Sequence, residues 1–146
     1  MTSKVKVWFE LEDGAWHGSA TESLWATELA DGHYRLENSP FYAFGVSFLD
    51  AVIAAPRNGR LWFDRVVKPS GHSTYRIIRT TDSDTVFNRC WTPLQTLGCS
   101  FESGDRVLAV DVPPEVNIHE AYKLLDAGEH AGAWGFEEGH CGHPLQ

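Results

Sequence analysis

Thr74-Tyr75-Arg76-Ile77-Ile78-Arg79-Thr80-Thr81-Asp82-Ser83 is the stretch on which the reading of the fold turns. Up to Thr80 its β-branched and aromatic residues read as a strand. From Asp82 or Ser83, either of which can cap a helix, Val86, Phe87, Cys90, Trp91, Leu94 and Leu97 fall on one helical face that ends at Gly98. Pro93 lies inside that pattern and is expected to kink or shorten the helix, because it lacks a backbone donor and crowds the preceding turn. Cys99 to Glu102 and Val107 to Val112 flank Ser103-Gly104-Asp105 as a hairpin, and Pro113-Pro114 stops its second strand. Asn117 with Glu120 opens a second helix, with Ile118, Ala121, Tyr122, Leu124 and Leu125 on its buried face and Gly128 as its expected end. A last strand near 133–138 follows. Strand, helix, strand, strand, helix, strand is the order of the ferredoxin-like split βαβ motif.

Upstream, Val5, Val7 and Phe9 alternate with Lys4, Lys6, Trp8 and Glu10, the pattern of a half-buried strand. Further strands are read at Ser19 to Glu28, His33 to Leu36, Phe44 to Ala54 and Arg60 to Val67, separated by turns such as Asp31-Gly32 and Arg57-Asn58-Gly59. Short strands with glycine turns favour a small barrel or a curled antiparallel sheet, since closure removes exposed edges. The expected class is α+β, with a strand-rich half at 1–70, a ferredoxin-like half at 71–146 that ends in a short His/Gly-rich tail, and the N-terminal half covering the free face of the second sheet.

Across 146 residues, 42% are hydrophobic and 22% charged, enough for a packed core. No run of about 18 apolar residues exists to span a membrane. Lys4 and Lys6 interrupt the start where a signal peptide would be apolar, so a cytoplasmic protein is expected. Cys90, Cys99 and Cys141 fit reduced thiols better than a disulfide framework. The net charge is −8 and the basic residues are scattered singly along the chain, which argues against direct nucleic-acid binding and suits a basic protein or peptide partner.

Among candidate site residues, His72, Ser73, Tyr75 and Arg76 concentrate an imidazole, a hydroxyl, a phenol and a guanidinium at the entry to a strand. Strand alternation puts His72 and Arg76 on one face, able to hold an anion together, and Ser73 and Tyr75 on the other. Trp16, His17, Trp25 and Tyr42 offer aromatic walls for a ligand. Asp50 is a carboxylate in an apolar segment. Cys141 and His143 are metal-ligand types without a second pair at zinc-site spacing, so no metal is expected, and no phosphate loop or dinucleotide fingerprint implies a cofactor.

Glu22-Ser23-Leu24-Trp25-Ala26, Asn38-Ser39-Pro40-Phe41-Tyr42-Ala43, Gly45-Val46-Ser47 with Asp50, Gly71-His72-Ser73-Thr74-Tyr75-Arg76, and Trp134 with Glu137-Glu138-Gly139 together resemble the bacterial family labelled domain of unknown function 4265. The resemblance implies a bacterial cytosolic protein and carries no activity. Two readings stay open. One is a binding or regulatory module that restrains a basic effector, with dimerisation through the C-terminal sheet as a further expectation. The other is a cofactor-independent enzyme acting on a peptide or secondary metabolite, with His72 as acid or base and Tyr75 or Arg76 orienting the substrate. The first is preferred because no catalytic signature is present.

Overall fold

In a computed structural model that describes residues 4–145, five strands, β1 (Lys4–Glu10), β2 (Thr21–Glu28), β3 (Tyr34–Leu36), β4 (Ala51–Arg57) and β5 (Arg60–Lys68), form a closed barrel in the order β1-β2-β3-β4-β5. The barrel closes through a parallel contact of β1 with β5, at Val7 with Leu61 and Trp8 with Trp62. Val7, Phe9, Leu24, Ala26, Leu36 and Val52 fill its interior, each at the inward phase of its strand. At the β4–β5 turn Asn58 and Gly59 both have positive φ, 52° and 78°, the backbone that a two-residue hairpin requires.

The chain continues as β6 (Ser73–Arg79), α1 (Asp84–Leu97), β7 (Ser100–Ser103), β8 (Leu108–Val112), α2 (Ile118–His130) and β9 (Trp134–His140). The sheet order is β7-β8-β6-β9, all antiparallel, so β8 is inserted between β6 and β7, and β6 between β8 and β9. The expected α+β architecture, a barrel followed by a βαββαβ half, is the one found. Tyr75, Ile77, Val110 and Val112 face the helices and pack with Phe87, Trp91, Leu94, Leu125 and Trp134 in a second core.

Several local expectations are corrected. The segment Phe44 to Asp50 is loop, not strand, because Gly45 and Leu49 adopt positive φ of 82° and 69° and Asp50 turns back to accept from Ser47 N–H. Pro93 does not shorten α1, which runs on to Leu97. Arg89, whose carbonyl loses its donor to Pro93, is exposed, so water can replace the bond. Ser83 is the cap, accepting from Val86 N–H at 3.2 Å. Gly128 does not end α2, which continues to His130, with Asn117 capping its start as expected. Gly128 is instead buried against Trp134: a Cβ there would sit 2.1 Å from Trp134 Cζ2. The glycine permits a close approach and terminates nothing.

Burial gives the second core an alkaline liability. The Cys99 thiol is pushed up from 9.0 to about 12 by burial, with Asp111 adding to the effect. Burial, and then the Glu138 carboxylate, raise the Tyr75 phenol in the same direction. Each group ionises in the unfolded chain before it does in the folded one. Its contribution is therefore whole below the unfolded pKa and is lost as pH rises toward the folded value. We expect the urea midpoint to fall steadily above pH about 9, and a midpoint level to pH about 11 would show that neither group is held neutral by the fold.

Candidate functional site

The long loop from Glu37 to Asp50 joins β3 to β4 of the barrel, and side chains from barrel and sheet both hold it. Glu22, at an inward position of β2, accepts from the N–H groups of Phe41, Tyr42 and Ala43 at 2.5, 3.0 and 2.9 Å. Arg76, on the face of β6 turned toward the barrel and 1% exposed, donates from Nε to Phe41 O and from Nη2 to Ala43 O. One short peptide is thus gripped by a carboxylate at its donors and a guanidinium at its acceptors. Burial pulls the Arg76 guanidinium below its usual range, opposed by the carboxylates of Glu137 and Glu22. Gly139 is bare because a Cβ there would meet Arg76 Nη1 at 2.4 Å. Further along, Glu102 accepts from Asn38 Nδ2 and Ser39 N–H, and Gly45 N–H bonds Gly139 O. Ser47 Oγ lies 2.8 Å from both Thr74 Oγ1 and His140 Nδ1.

That grip fixes the wall of a groove. Trp16, His17, Tyr42 and Phe44 line a cavity of about 570 Å³ at the barrel mouth, over a floor of Phe9, Leu11 and Phe63. His17 stacks on Tyr42 with centroids 4.4 Å apart, Trp16 meets both rings edge-on, and His17 Nδ1 accepts from Ser19 N–H at 3.0 Å. A neutral His17 therefore carries its proton on Nε2. A second cavity of about 310 Å³ shares Trp16 and Glu137 with the first and continues along Ile78, Gly135 and Phe136 to Glu129. Trp16 and Phe44 are 49% and 58% exposed at the rim. The charged lining is mainly acidic: Glu10, Glu12, Glu129 and Glu137 against Arg57, which pairs with Glu10, and Arg76, whose Nε and Nη2 are spent on the loop and whose Nη1 lies 4.0 Å from Glu137 Oε1. Glu12 has no ion-pair partner among the described residues.

The other expected site residues lie elsewhere. Trp25 is on the outer wall of the barrel, since Leu24 and Ala26 take the inward phase. His72 precedes β6; its Nδ1 is 2.8 Å from Asp111 Oδ1 and its ring stands edge-on to Phe48, so it shares no group with Arg76. Burial raises the Asp111 carboxyl, opposed by the hydrogen bond from His72. Tyr75 faces the helices and donates to Glu138 at 3.1 Å. Ser73 is fully buried: its hydroxyl donates to His143 Nδ1, accepts from Gly142 N–H, and His143 Nε2–H donates to Pro113 O. Asp50 accepts from Ser47 and Ser70 N–H groups and ties the end of the loop to the segment between β5 and β6. The sequence reading missed Glu22, Glu12, Glu137 and Phe44. For Glu22 a signal existed, a carboxylate in the inward phase of β2 beside Leu24 and Ala26.

Comparison with known proteins adds fold and family. A family model described as a domain of unknown function, DUF4265, matches residues 22–136. The fold is similar to that of a crystal structure of a hypothetical protein from Neisseria gonorrhoeae, with a TM-score of 0.76 at 21% identity, covering 97% of this chain and 96% of that one. No curated protein matches the chain.

Proposed function

The chain belongs to the DUF4265 family, and from that premise we propose that it is a binding module whose aromatic and acidic groove takes a cationic segment of a partner protein. The observation that carries this is the placing of exposed rings beside carboxylates: Trp16 and Phe44 next to Glu12, which has no ion-pair partner among the described residues, and Glu137, which lies 4.0 Å from Arg76 Nη1 at the edge of the groove. An arginine or lysine side chain laid over an indole gains about 0.5–2 kcal/mol from the ring, and a nearby carboxylate completes its recognition. The overall charge of −8 draws such a segment in. An extended peptide fits the length of a groove made from two cavities that meet at Trp16 and Glu137. Support for acid–base chemistry at His72 is weaker, since its ring is engaged with Asp111 away from the groove. Among the described residues no helix is long and apolar enough to cross a membrane, and a cytoplasmic setting suits the free thiols.

Calorimetric titration with a short arginine-containing peptide tests the reading. Binding is expected to weaken as salt rises, and to fall about tenfold in Glu137→Gln and in Trp16→Ala. Equal binding of an acidic peptide, or no loss in either variant, would remove the groove from the account.

A further inference from the structure

The outer wall of the barrel gathers side chains that the linear sequence scatters. Lys6 and Trp8 are two residues apart on β1 and share its outer face, with Trp25 opposite Lys6 on β2 and Trp62 opposite Trp8 on β5. Each indole is met by a cation. Lys6 Nζ lies 5.0 Å from the Trp25 ring, Arg60 is 3.9 Å from Trp8, and Arg57 is 4.5 Å from Trp62. The Trp8 and Trp62 rings are 6.3 Å apart, and Trp62 Nε1 donates to Arg57 O at 3.2 Å, which fixes that ring at the hairpin. Trp25 remains 47% exposed. Two nearby carboxylates are already held by arginines: Glu10 by Arg57 at 2.5 Å and Asp64 by Arg65 at 2.9 Å. Lys4, Lys6, Arg35, Arg57, Arg60, Arg65 and Lys68, seven of the twelve cations, lie in the first 70 residues.

We propose that this face binds single-stranded nucleic acid, with bases stacking on Trp25 and on the Trp8–Trp62 pair while Lys6 and Arg60 meet the phosphates. The singly scattered cations that argue against nucleic acid in the linear sequence are brought to one surface by strand alternation and barrel closure. Single-strand binders combine such rings with cations, because every base has a face to stack and every nucleotide a charge to neutralise. Neighbouring positions are about 6.7 Å apart along a strand and about 4.8 Å across strands, so the stripe over β2, β1 and β5 can serve successive splayed bases. A duplex keeps its bases stacked inside and would leave the three indoles without a partner. This surface adjoins the peptide groove, since Arg57 and Trp62 border both, but Lys6, Trp8, Trp25 and Arg60 lie outside the groove's lining.

The test uses the full chain and a fluorescein-labelled oligothymidylate of about 12 nucleotides, followed by anisotropy at low salt. Binding with a Kd on the order of 10 µM and quenching of tryptophan emission are expected. Trp25→Ala should weaken binding about tenfold, and Lys6→Gln should lower the salt slope by about one. Because Trp25 is exposed, the variant should keep its circular dichroism and its affinity for the basic peptide, which separates failure of this site from failure of the groove. No binding, indifference to Trp25→Ala, or equal affinity for heparin or for a duplex of the same length would overturn the proposal.

Discussion

Arg76→Met is expected to cost on the order of 3–5 kcal/mol of stability, lowering the melting temperature by roughly 10 °C. Methionine keeps the side chain's length and apolar stem but removes every donor. The carbonyls of Phe41 and Ala43 then lose their partner at a site where Arg76 itself is 1% exposed. Buried acceptors left unpaired cost about 1–3 kcal/mol each, and the Glu22 carboxylate loses its compensating charge. The loss should reach the groove as well, since Tyr42, Ala43 and Phe44 form its wall. Weaker binding of a basic peptide under conditions where the variant is still fully folded is therefore part of the prediction. An unfolding free energy within about 0.5 kcal/mol of the parent's would mean that the clamp is incidental to the loop.

Gly128→Ala sets two physical effects of opposite sign against each other. Helix propensity favours alanine by about 1 kcal/mol at an interior position of α2. Packing opposes it, because the new methyl would lie 2.1 Å from Trp134 Cζ2 and 2.3 Å from Cε2, with Trp134 anchored through Nε1 to Leu125 O at 2.8 Å. We expect a net loss of about 3 kcal/mol, since a fully packed core relieves such a clash only by moving a helix or displacing the indole. In a Trp134→Phe background the ring atoms in conflict are gone, and the same substitution should cost far less. A double-mutant cycle measures that coupling. If Gly128→Ala stabilises the protein, α2 and β9 are not packed as described.

The order of elements was legible from periodicity because the C-terminal half switches cleanly between period two and helical spacing at Thr81–Ser83. What misled the reading were residues whose local meaning is overridden by tertiary contact. Gly128 looks like a stop until Trp134 is placed on it, and Phe44 to Asp50 looks like a strand until Asp50 folds it back. Of the aromatic group, Trp16, His17 and Tyr42 do meet in one cavity. Trp25 parts from them by strand parity alone, which alternation could have shown. His72 and Arg76 face partners that come from distant segments, Asp111 from β8 and the Phe41–Ala43 peptide. Glu12 and Glu137 are 125 positions apart in the sequence yet line one groove, a pairing that no local pattern encodes.

The most direct test of the groove is a backbone amide NMR titration with an arginine-containing peptide. The account predicts shifts that saturate together and cluster at Ala15 to Gly18, Tyr42 to Phe44 and Gly135 to Glu137, with the amides of α1 and of the outer barrel wall unmoved. Shifts spread over the acidic surface of the helices, or none at all at millimolar peptide, would contradict it.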